Sequence, residues 1–204
     1  MSLGLLDATK SYGEPVETYF GLYAGVVVDN ADPEQKARVL VRLPWIDPGF
    51  ETLWAPVSQI YAGSGYGAYW TPEVDDQVLV AFMRGELRKP VVVGSIYSRD
   101  RTPFAARGGG ADPKLFRTAA GHMLLMEDGS GAKIQLIDKT ANNEITIDSQ
   151  SNTITIKANS EVVVESNNSV TVKASGNLSI KAGGSISIEA GGALSVKGAT
   201  ISLN

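Results

Sequence analysis

The last third of this 204-residue chain repeats every eight residues, and no other feature constrains the fold as strongly. Each repeat, which we call an octad, contains two apolar residues separated by one residue. A strict short period indicates a repetitive architecture in which each repeat forms one structural unit. The six pairs keep the same spacing and are Ile154 and Ile156, Val162 and Val164, Val170 and Val172, Leu178 and Ile180, Ile186 and Ile188, and Leu194 and Val196.

Each octad predicts one short β-strand with two apolar side chains on one face. The residue between the two, such as Thr155 or Ser187, points the other way. Eight extended residues span at most about 27 Å, so one chain is too short to wrap a closed coil around a core. We therefore predict an intertwined needle of three chains, with the paired residues in its core.

The predicted needle is roughly 30 Å long, because six strands stack about 4.8 Å apart. Burying twelve apolar side chains per subunit, at about 1.5–3 kcal/mol each before entropy is counted, makes trimer formation obligatory. A column of Lys and Glu follows the pairs and is expected to be solvated. The alternatives are a single-chain β-solenoid, whose periods are usually six or nine residues, and a sticky low-complexity tail.

The region from residue 19 to 98 predicts several short strands. Strand candidates alternate polar and apolar residues or form short apolar runs between turn residues. They lie at Gly25–Val28, Arg38–Leu43, Val78–Phe82 and Pro90–Gly94. Five or six strands in about eighty residues favour a small closed barrel.

The rest of the chain divides by composition. Residues 1–18 form an N-terminal segment, and residues 99–114 form a linker that contains three consecutive glycines. Residues 115–152 contain further strands, including Met123–Met126 and Ile134–Ile137, on either side of a hairpin turn at residues 127–131. Residues 153–204 are the octad region.

Composition limits the function classes. The net charge of −4 is spread along the chain, without the basic surface that nucleic-acid recognition requires. The chain has no Cys and one His, so neither a disulfide framework nor a metal site is predicted, and no cofactor is expected. No secretory signal or membrane-spanning stretch is visible.

An ordered series of motifs in residues 25–98 resembles the N-terminal OB-fold of phage baseplate assembly protein V, the T4 cell-puncturing spike and the VgrG spikes. Asp75 departs from the Gly that is usual in this family. With Thr118–His122 and the octads, the resemblance covers about nine tenths of the chain. The OB-fold motifs are Gly25–Asn30, Asp32-Pro33, Val39–Trp45, Trp54–Val57, Ala62–Gly67, Pro72–Phe82 and Lys89–Tyr97.

The resemblance implies an all-β protein with an OB-fold barrel followed by a triple-stranded β-helix. It implies a homotrimeric central spike in a virion tail baseplate or an equivalent injection particle, made in the host bacterial cytoplasm. The expected partners are a separate hub protein at the OB-fold end, which residues 1–18 contact, a PAAR-repeat tip protein at the other end, and transiently the target membrane. Tip docking is assigned to Ile201, Leu203 and Asn204, and the trimer or hub contacts to Trp45, Trp54, Tyr66, Tyr69 and Trp70.

No catalytic residue is predicted. The neighbouring carboxylates Asp75-Asp76 and Glu127-Asp128 lie in turns, and catalytic carboxylates are rarely adjacent in sequence. His122 has no second His or Cys to share a metal and is expected to be a partly buried structural residue. One alternative function is a trimeric fibre or adhesin that binds a host surface glycan, although that class requires a receptor-binding head. The other is an enzyme with a cryptic lytic activity, although that class requires an inserted domain.

Overall fold

The computed structural model describes residues 18–105 and 107–202, and the chain divides into two compact units, Met1–Asn159 and Ser160–Asn204. The predicted N-terminal segment, residues 1–18, lies outside the described residues except for its last member. The first unit contains two five-stranded antiparallel sheets and a two-stranded hairpin. In the described residues the only helical element is a 3₁₀ turn at Met83–Gly85. The predicted all-β class is confirmed.

The first sheet forms a nearly closed barrel, as predicted. Its strands follow the order β3-β2-β1-β6-β7, and a parallel bridge between Val57 and Val92 connects the two ends of the sheet. Strands β4 and β5 form a separate small hairpin. The strands are β1 (Tyr23–Asp29), β2 (Arg38–Arg42), β3 (Ala55–Pro56), β4 (Ala62–Gly63), β5 (Tyr66–Gly67), β6 (Gln77–Phe82) and β7 (Pro90–Ser95).

The barrel core consists of alternate residues of these strands, which is the period-two pattern visible in the sequence. Phe82 is 6% exposed, and it packs against the rings of Tyr19 and Tyr23 at centroid distances of 5.9 and 5.7 Å. The other core side chains are fully buried: Val27, Val39, Val41, Leu43, Ala55, Val78, Val80 and Val92.

One buried carboxylate organises the loop between β1 and β2. Asp32 accepts hydrogen bonds from the backbone N–H groups of Glu34, Lys36 and Arg38, and its side chain is 3% exposed. Arg38 adds two charge-assisted bonds, Nε at 2.9 Å and Nη2 at 2.7 Å. The Arg38 guanidinium keeps the pKa of Asp32 well below its usual range. This loop is therefore held by fixed polar contacts.

Asp75, where the resemblance leads us to expect Gly, adopts a backbone φ of 71°. This left-handed region favours Gly because a Cβ is crowded there, but Asp is among the residues that tolerate it. Its N–H donates to the carbonyl of Val27 at 2.8 Å. Asp at this position therefore accommodates the turn before β6.

The second sheet, which we call the neck sheet, is a meander whose five strands pair in chain order. All four pairings are antiparallel and include five residue pairs each. The last strand contains the first octad pair, Ile154 and Ile156. The strands are β8 (Pro113–Arg117), β9 (Met123–Glu127), β10 (Lys133–Ile137), β11 (Glu144–Asp148) and β12 (Thr153–Lys157).

The second unit carries the other five octads. Its described residues, 160–202, form neither strands nor helices, and every one of them is exposed. The hydrogen bonds recorded among them are local side-chain contacts of Ser166 and Ser187. This segment therefore satisfies almost none of its backbone groups within one chain.

Two strand glycines of the barrel offer a test of its packing. A Cβ at Gly25 would lie 2.5 Å from Cγ1 of Val41 and 2.9 Å from the Arg42 carbonyl oxygen, whereas a Cβ at Gly94 would meet nothing within 4 Å. We expect Gly25→Ala to destabilise the protein by about 1–3 kcal/mol through overpacking. Gly94→Ala is the matched control and should leave the urea midpoint nearly unchanged. Equal midpoints for the two variants would contradict this account of the core.

Candidate assembly surfaces

The paired octad residues, which the sequence assigns to a needle core, are all exposed in the single chain. Their exposed fractions lie between 53% and 72%. These side chains are not buried because no other described residues of the chain pack over them. The twelve residues are Ile154, Ile156, Val162, Val164, Val170, Val172, Leu178, Ile180, Ile186, Ile188, Leu194 and Val196.

The exposure of these side chains has a regular pattern. Scattered exposed apolar residues are ordinary on protein surfaces, but a continuous apolar series indicates a surface that is covered in the functional state. The most exposed members, Val164 at 72% and Ile154 at 71%, belong to different octads, so no single repeat accounts for the series. The described residues of one chain do not bury the pairs, and their assignment to a needle core stays a prediction.

The neck sheet has a second apolar surface, which the sequence reasoning did not single out. Directly opposed residues of antiparallel strands share a face, and the register aligns Ile134 with Ile147 and Leu136 with Ile145. Eight of the nine residues on this face are 39% to 71% exposed. The apolar neck face consists of Phe116, Leu124, Met126, Ile134, Leu136, Ile145, Ile147, Ile154 and Ile156.

The other face of the neck sheet is different in character. Gln135 is 9% exposed, and its Nε2 donates to Oγ1 of Thr146 at 3.0 Å. Thr155, next in the same row, is exposed. In this row the opposite face is therefore polar from β10 to β12, whereas its members in β9 and β8 are Leu125 and Leu115.

Polar and aromatic contacts lie at the margins of the apolar neck face. The Lys114 ammonium bridges carboxylates of Asp112 and Asp128 at 3.1 and 2.8 Å. The Trp70 ring, from the barrel, stacks on Phe116 with centroids 5.6 Å apart. Trp70 was predicted as a trimer or hub contact, and its contact with Phe116 had no signal in the sequence because the two residues lie far apart along the chain.

The turn between β10 and β11 is held by Asp138. Its carboxylate accepts from the Thr140 hydroxyl at 2.7 Å and from the side chain of Asn143 at 3.2 Å. These hydrogen bonds, that of Thr140 foremost, lower the pKa of Asp138 from 3.8 to about 2.

His122 contributes to the same end of the sheet. Its Nδ1 accepts a hydrogen bond from the backbone N–H of Lys139 at 3.3 Å. The side chain is exposed, so the prediction of partial burial was wrong. The side chain is not buried because His122 lies in a turn that no other layer of the described structure covers.

Asp138 makes the neck sheet sensitive to acid. A carboxyl group whose folded-state pKa is lowered stabilises the fold above its unfolded pKa, and this contribution disappears as the pH falls through the folded value. We expect the Asp138 contribution to decline between pH 3.8 and about 2. Thermal melting across this range should show a smaller acid-induced loss in Asp138→Asn than in the wild type. Parallel losses in the two proteins would contradict the assignment.

The other aromatic contact candidates of the barrel lie mainly at its surface. Trp45 is 76% exposed and Tyr69 is 74% exposed, whereas Trp54 is half-buried. Tyr66 is 61% exposed and packs against Tyr61 with ring centroids 5.3 Å apart. Their assignment to hub or trimer contacts stays a prediction.

The tip-docking residues lie at the end of the octad segment. Ile201 is 53% exposed, so its side chain is open to a partner. Leu203 and Asn204 lie outside the described residues. The assignment of this end to a tip protein stays a prediction.

A cleft of about 1020 Å³ opens beside Trp70 and Phe116. It is lined by aromatic and charged side chains, including Tyr69, Glu73 and Arg117. Within residues 18–105 and 107–202, no group of three or more His, Cys, Asp or Glu side chains could hold a metal ion. In the same residues, no helix is long and apolar enough to cross a membrane.

Comparison with known proteins relates the barrel to a domain of injection apparatus. Residues 23–97, which include every barrel strand, match the type VI secretion system/phage-baseplate injector OB domain. The chain is similar to baseplate and VgrG-like spike proteins. The predicted resemblance is thereby confirmed.

The curated relatives are spike proteins of much greater length. The chain is 26% identical to the type VI secretion system spike protein VgrG1c of Pseudomonas aeruginosa and 26% identical to VgrG1a of the same organism, each over 74% of this chain. It spans 23% of the first relative and 26% of the second. A shorter match, 34% identical over 34% of this chain and 7% of the relative, is to the actin cross-linking toxin VgrG1 of Vibrio cholerae.

Proposed function

We propose that this chain is the trimeric central spike of a contractile tail or related injection machine, and that it acts mechanically and not as an enzyme. The observation that carries the proposal is the octad segment, whose twelve apolar side chains are left exposed by the described residues of one chain. The family of the barrel supports the same conclusion, since the relatives include spike proteins of secretion systems.

Three copies can bury the apolar side chains of the octads and pair their backbone groups, which one copy does not do. Each octad contributes one strand with two inward side chains, so three chains supply six apolar side chains to every layer of the core. Neighbouring chains then provide the hydrogen-bond partners that the extended backbone lacks. The resulting triple-stranded β-helix is a slender needle without exposed sheet edges along its length.

The proposed mechanism follows from this construction. The barrels assemble beneath a hub protein and plug the tail tube, with Trp45, Trp54, Tyr66 and Tyr69 as contact candidates. The needle projects from them and carries a PAAR-repeat tip protein on the surface that includes Ile201. Contraction of the sheath drives the needle through the target envelope, where dense packing and interchain hydrogen bonds resist buckling. Loss of the spike then opens the tube.

The mass of the purified full chain in solution is the first test. We expect light scattering to give three times the chain mass of 21.6 kDa. A monodisperse, stable monomer of the full chain would refute the spike and favour a single-chain solenoid.

Two neighbouring substitutions test the direction in which octad side chains point. Ile186 belongs to an apolar pair and Ser187 is the residue between its members, and both are exposed in the single chain. Ile186→Asp should weaken the trimer by roughly several kcal/mol per subunit, because it buries an unpaired carboxylate. Ser187→Asp should leave the trimer nearly as stable as the wild type. Thermal melting with light scattering compares them, and equal tolerance of both substitutions would contradict an apolar core at position 186.

A further inference from the structure

Strand β8 forms one edge of the neck sheet, and the outer side of its backbone has no partner strand among the described residues. At its two ends, the Thr118 N–H donates to the His122 carbonyl at 2.9 Å, and the Asp128 N–H donates to the Asp112 carbonyl at 3.3 Å. Hydrogen-bonded and non-hydrogen-bonded pairs alternate along an antiparallel ladder. The even-numbered residues of β8 therefore bond to β9.

The odd-numbered residues of β8 direct their backbone groups away from the sheet. Leu115 and Arg117 each have an N–H and a carbonyl on this free edge, whereas Pro113 has a carbonyl alone. Proline suits such a position because the outer side of an edge strand needs no donor. No described residue forms a backbone hydrogen bond with these groups outside the ladder. The edge can therefore accept one further strand, as unpaired strand edges do in many complexes.

The cleft of about 1020 Å³ lies along this free edge. Its lining includes all three odd-numbered residues of β8 and, from the barrel, Trp70 and Tyr97. The Tyr97 side chain is 73% exposed and that of Trp70 is 51% exposed, so both rings are open to an occupant. The cleft lies at the upper limit of the about 300–1,000 Å³ that small-molecule sites occupy, so it also accommodates a segment of polypeptide.

Apolar side chains lie on both faces of the sheet at this edge. Phe116 belongs to the apolar neck face, and the Trp70 ring stacks on it. Leu115 and Arg117 direct their side chains to the opposite face, where the Arg117 guanidinium lies 4.0 Å from the centroid of the Phe104 ring. Side chains of an added strand alternate between the two faces, so successive residues would contact these two groups in turn.

The cleft also has an acidic end. Glu73 lines it, is exposed, and forms no ion pair with another described residue. The neighbouring carboxylate of Asp76 accepts a hydrogen bond from the Glu73 N–H at 3.0 Å and lies 3.6 Å from the Arg101 guanidinium. Glu73 is therefore the carboxylate that an incoming cation can pair with, and a basic side chain on the occupant complements this end.

A peptide main chain matches the cleft better than a sugar does. The Asn30 amide already donates to the Pro72 carbonyl at 3.1 Å and to the Glu73 carboxylate at 3.4 Å. Little polar capacity therefore remains at this end for sugar hydroxyls, each of which needs a hydrogen-bond partner when it is buried. The free backbone groups of β8, in contrast, are spaced to pair with another extended main chain about 4.8 Å away.

We propose that the cleft is a docking site for an extended segment of a partner protein, which adds to β8 as a sixth strand of the neck sheet. The main chain of the segment pairs with Leu115 and Arg117. Its apolar side chains contact Trp70 on one face and Phe104 on the other, and a Lys or Arg side chain lies beside Glu73. This site goes beyond the proposed spike function and requires one chain only.

Hydrogen exchange of the full chain tests the free edge in the absence of a ligand. We expect the Leu115 and Arg117 amides to exchange rapidly and the Phe116 amide, which bonds to β9, to exchange at least about tenfold more slowly. Slow exchange of all three amides would overturn the proposal, because the edge would then already be covered.

A displayed library of random peptides of about ten residues, selected on the immobilised full chain, supplies the probe. We expect the enriched peptides to have apolar residues at alternate positions and at least one Lys or Arg. The most enriched peptide is synthesised with a fluorescein label, and its affinity is measured by anisotropy. Its binding should protect the Leu115 and Arg117 amides from exchange. A library without an enriched peptide would overturn the proposal.

Two substitutions separate the main-chain pairing from the charge contact. Leu115→Pro removes the outward N–H, leaves the β9 ladder intact, and should weaken binding of the labelled peptide at least about fivefold. Glu73→Gln should weaken it about threefold, as expected for an exposed ion pair. Glu51→Gln removes an exposed carboxylate outside the cleft and is the matched control, which should bind like the wild type. Circular dichroism checks that each variant is folded.

The alternatives give different results. Unchanged affinity in folded Leu115→Pro and Glu73→Gln chains would contradict the docking site. Dissociation of an oligomer by Leu115→Pro would also contradict it, because a second copy would then be the occupant. Binding of an oligosaccharide that is lost in Tyr97→Ala, without an enriched peptide, would assign the cleft to a sugar. The mass of the full chain tests the spike separately, so failure of one proposal leaves the other standing.

Discussion

The need to cover two apolar side chains on one face of each short strand constrains the fold of this protein. In the barrel, curvature of one sheet brings that face onto itself, and the inward valines of β1, β2 and β6 become fully buried. In the neck the sheet does not close, so Leu136 and Ile145 remain exposed although their strands are fully paired. In the second unit, the described residues cover neither the paired side chains nor the backbone of the five octads. The apolar surface that one chain leaves uncovered therefore grows along the sequence.

Polar turns make the short strands possible. Asp32, Asp138 and Asp148 lie at or just after the end of a strand and accept hydrogen bonds from backbone N–H groups two to six residues further on. Such local contacts fix a turn without help from a hydrophobic core. The contacts of Asp138 and Asp148 hold turns between neck strands whose register is regular over five residue pairs each.

This arrangement is consistent with a mechanical role. A needle of the proposed kind would resist bending best with a core of uniform width, and the spacing of two apolar residues with one residue between them is the same from β9 to the last octad. The charged residues lie beside this spacing and not within it. The family of the barrel connects the same chain to spike proteins, so the architecture and the relationship lead to one functional proposal.

The sequence by itself determined the strands with strict alternation or short apolar runs, including β2, β6, β7, β9 and β10, because period two and turn residues are local signals. It also determined the octad period, because a repeat is recognised from the spacing of residues along the chain alone. The tertiary structure alone decided which strands pair, that Val57 meets Val92, that Trp70 stacks on Phe116, and that the apolar residues of β9 to β12 form one continuous face. These depend on register between distant strands, which spacing along a single strand does not encode.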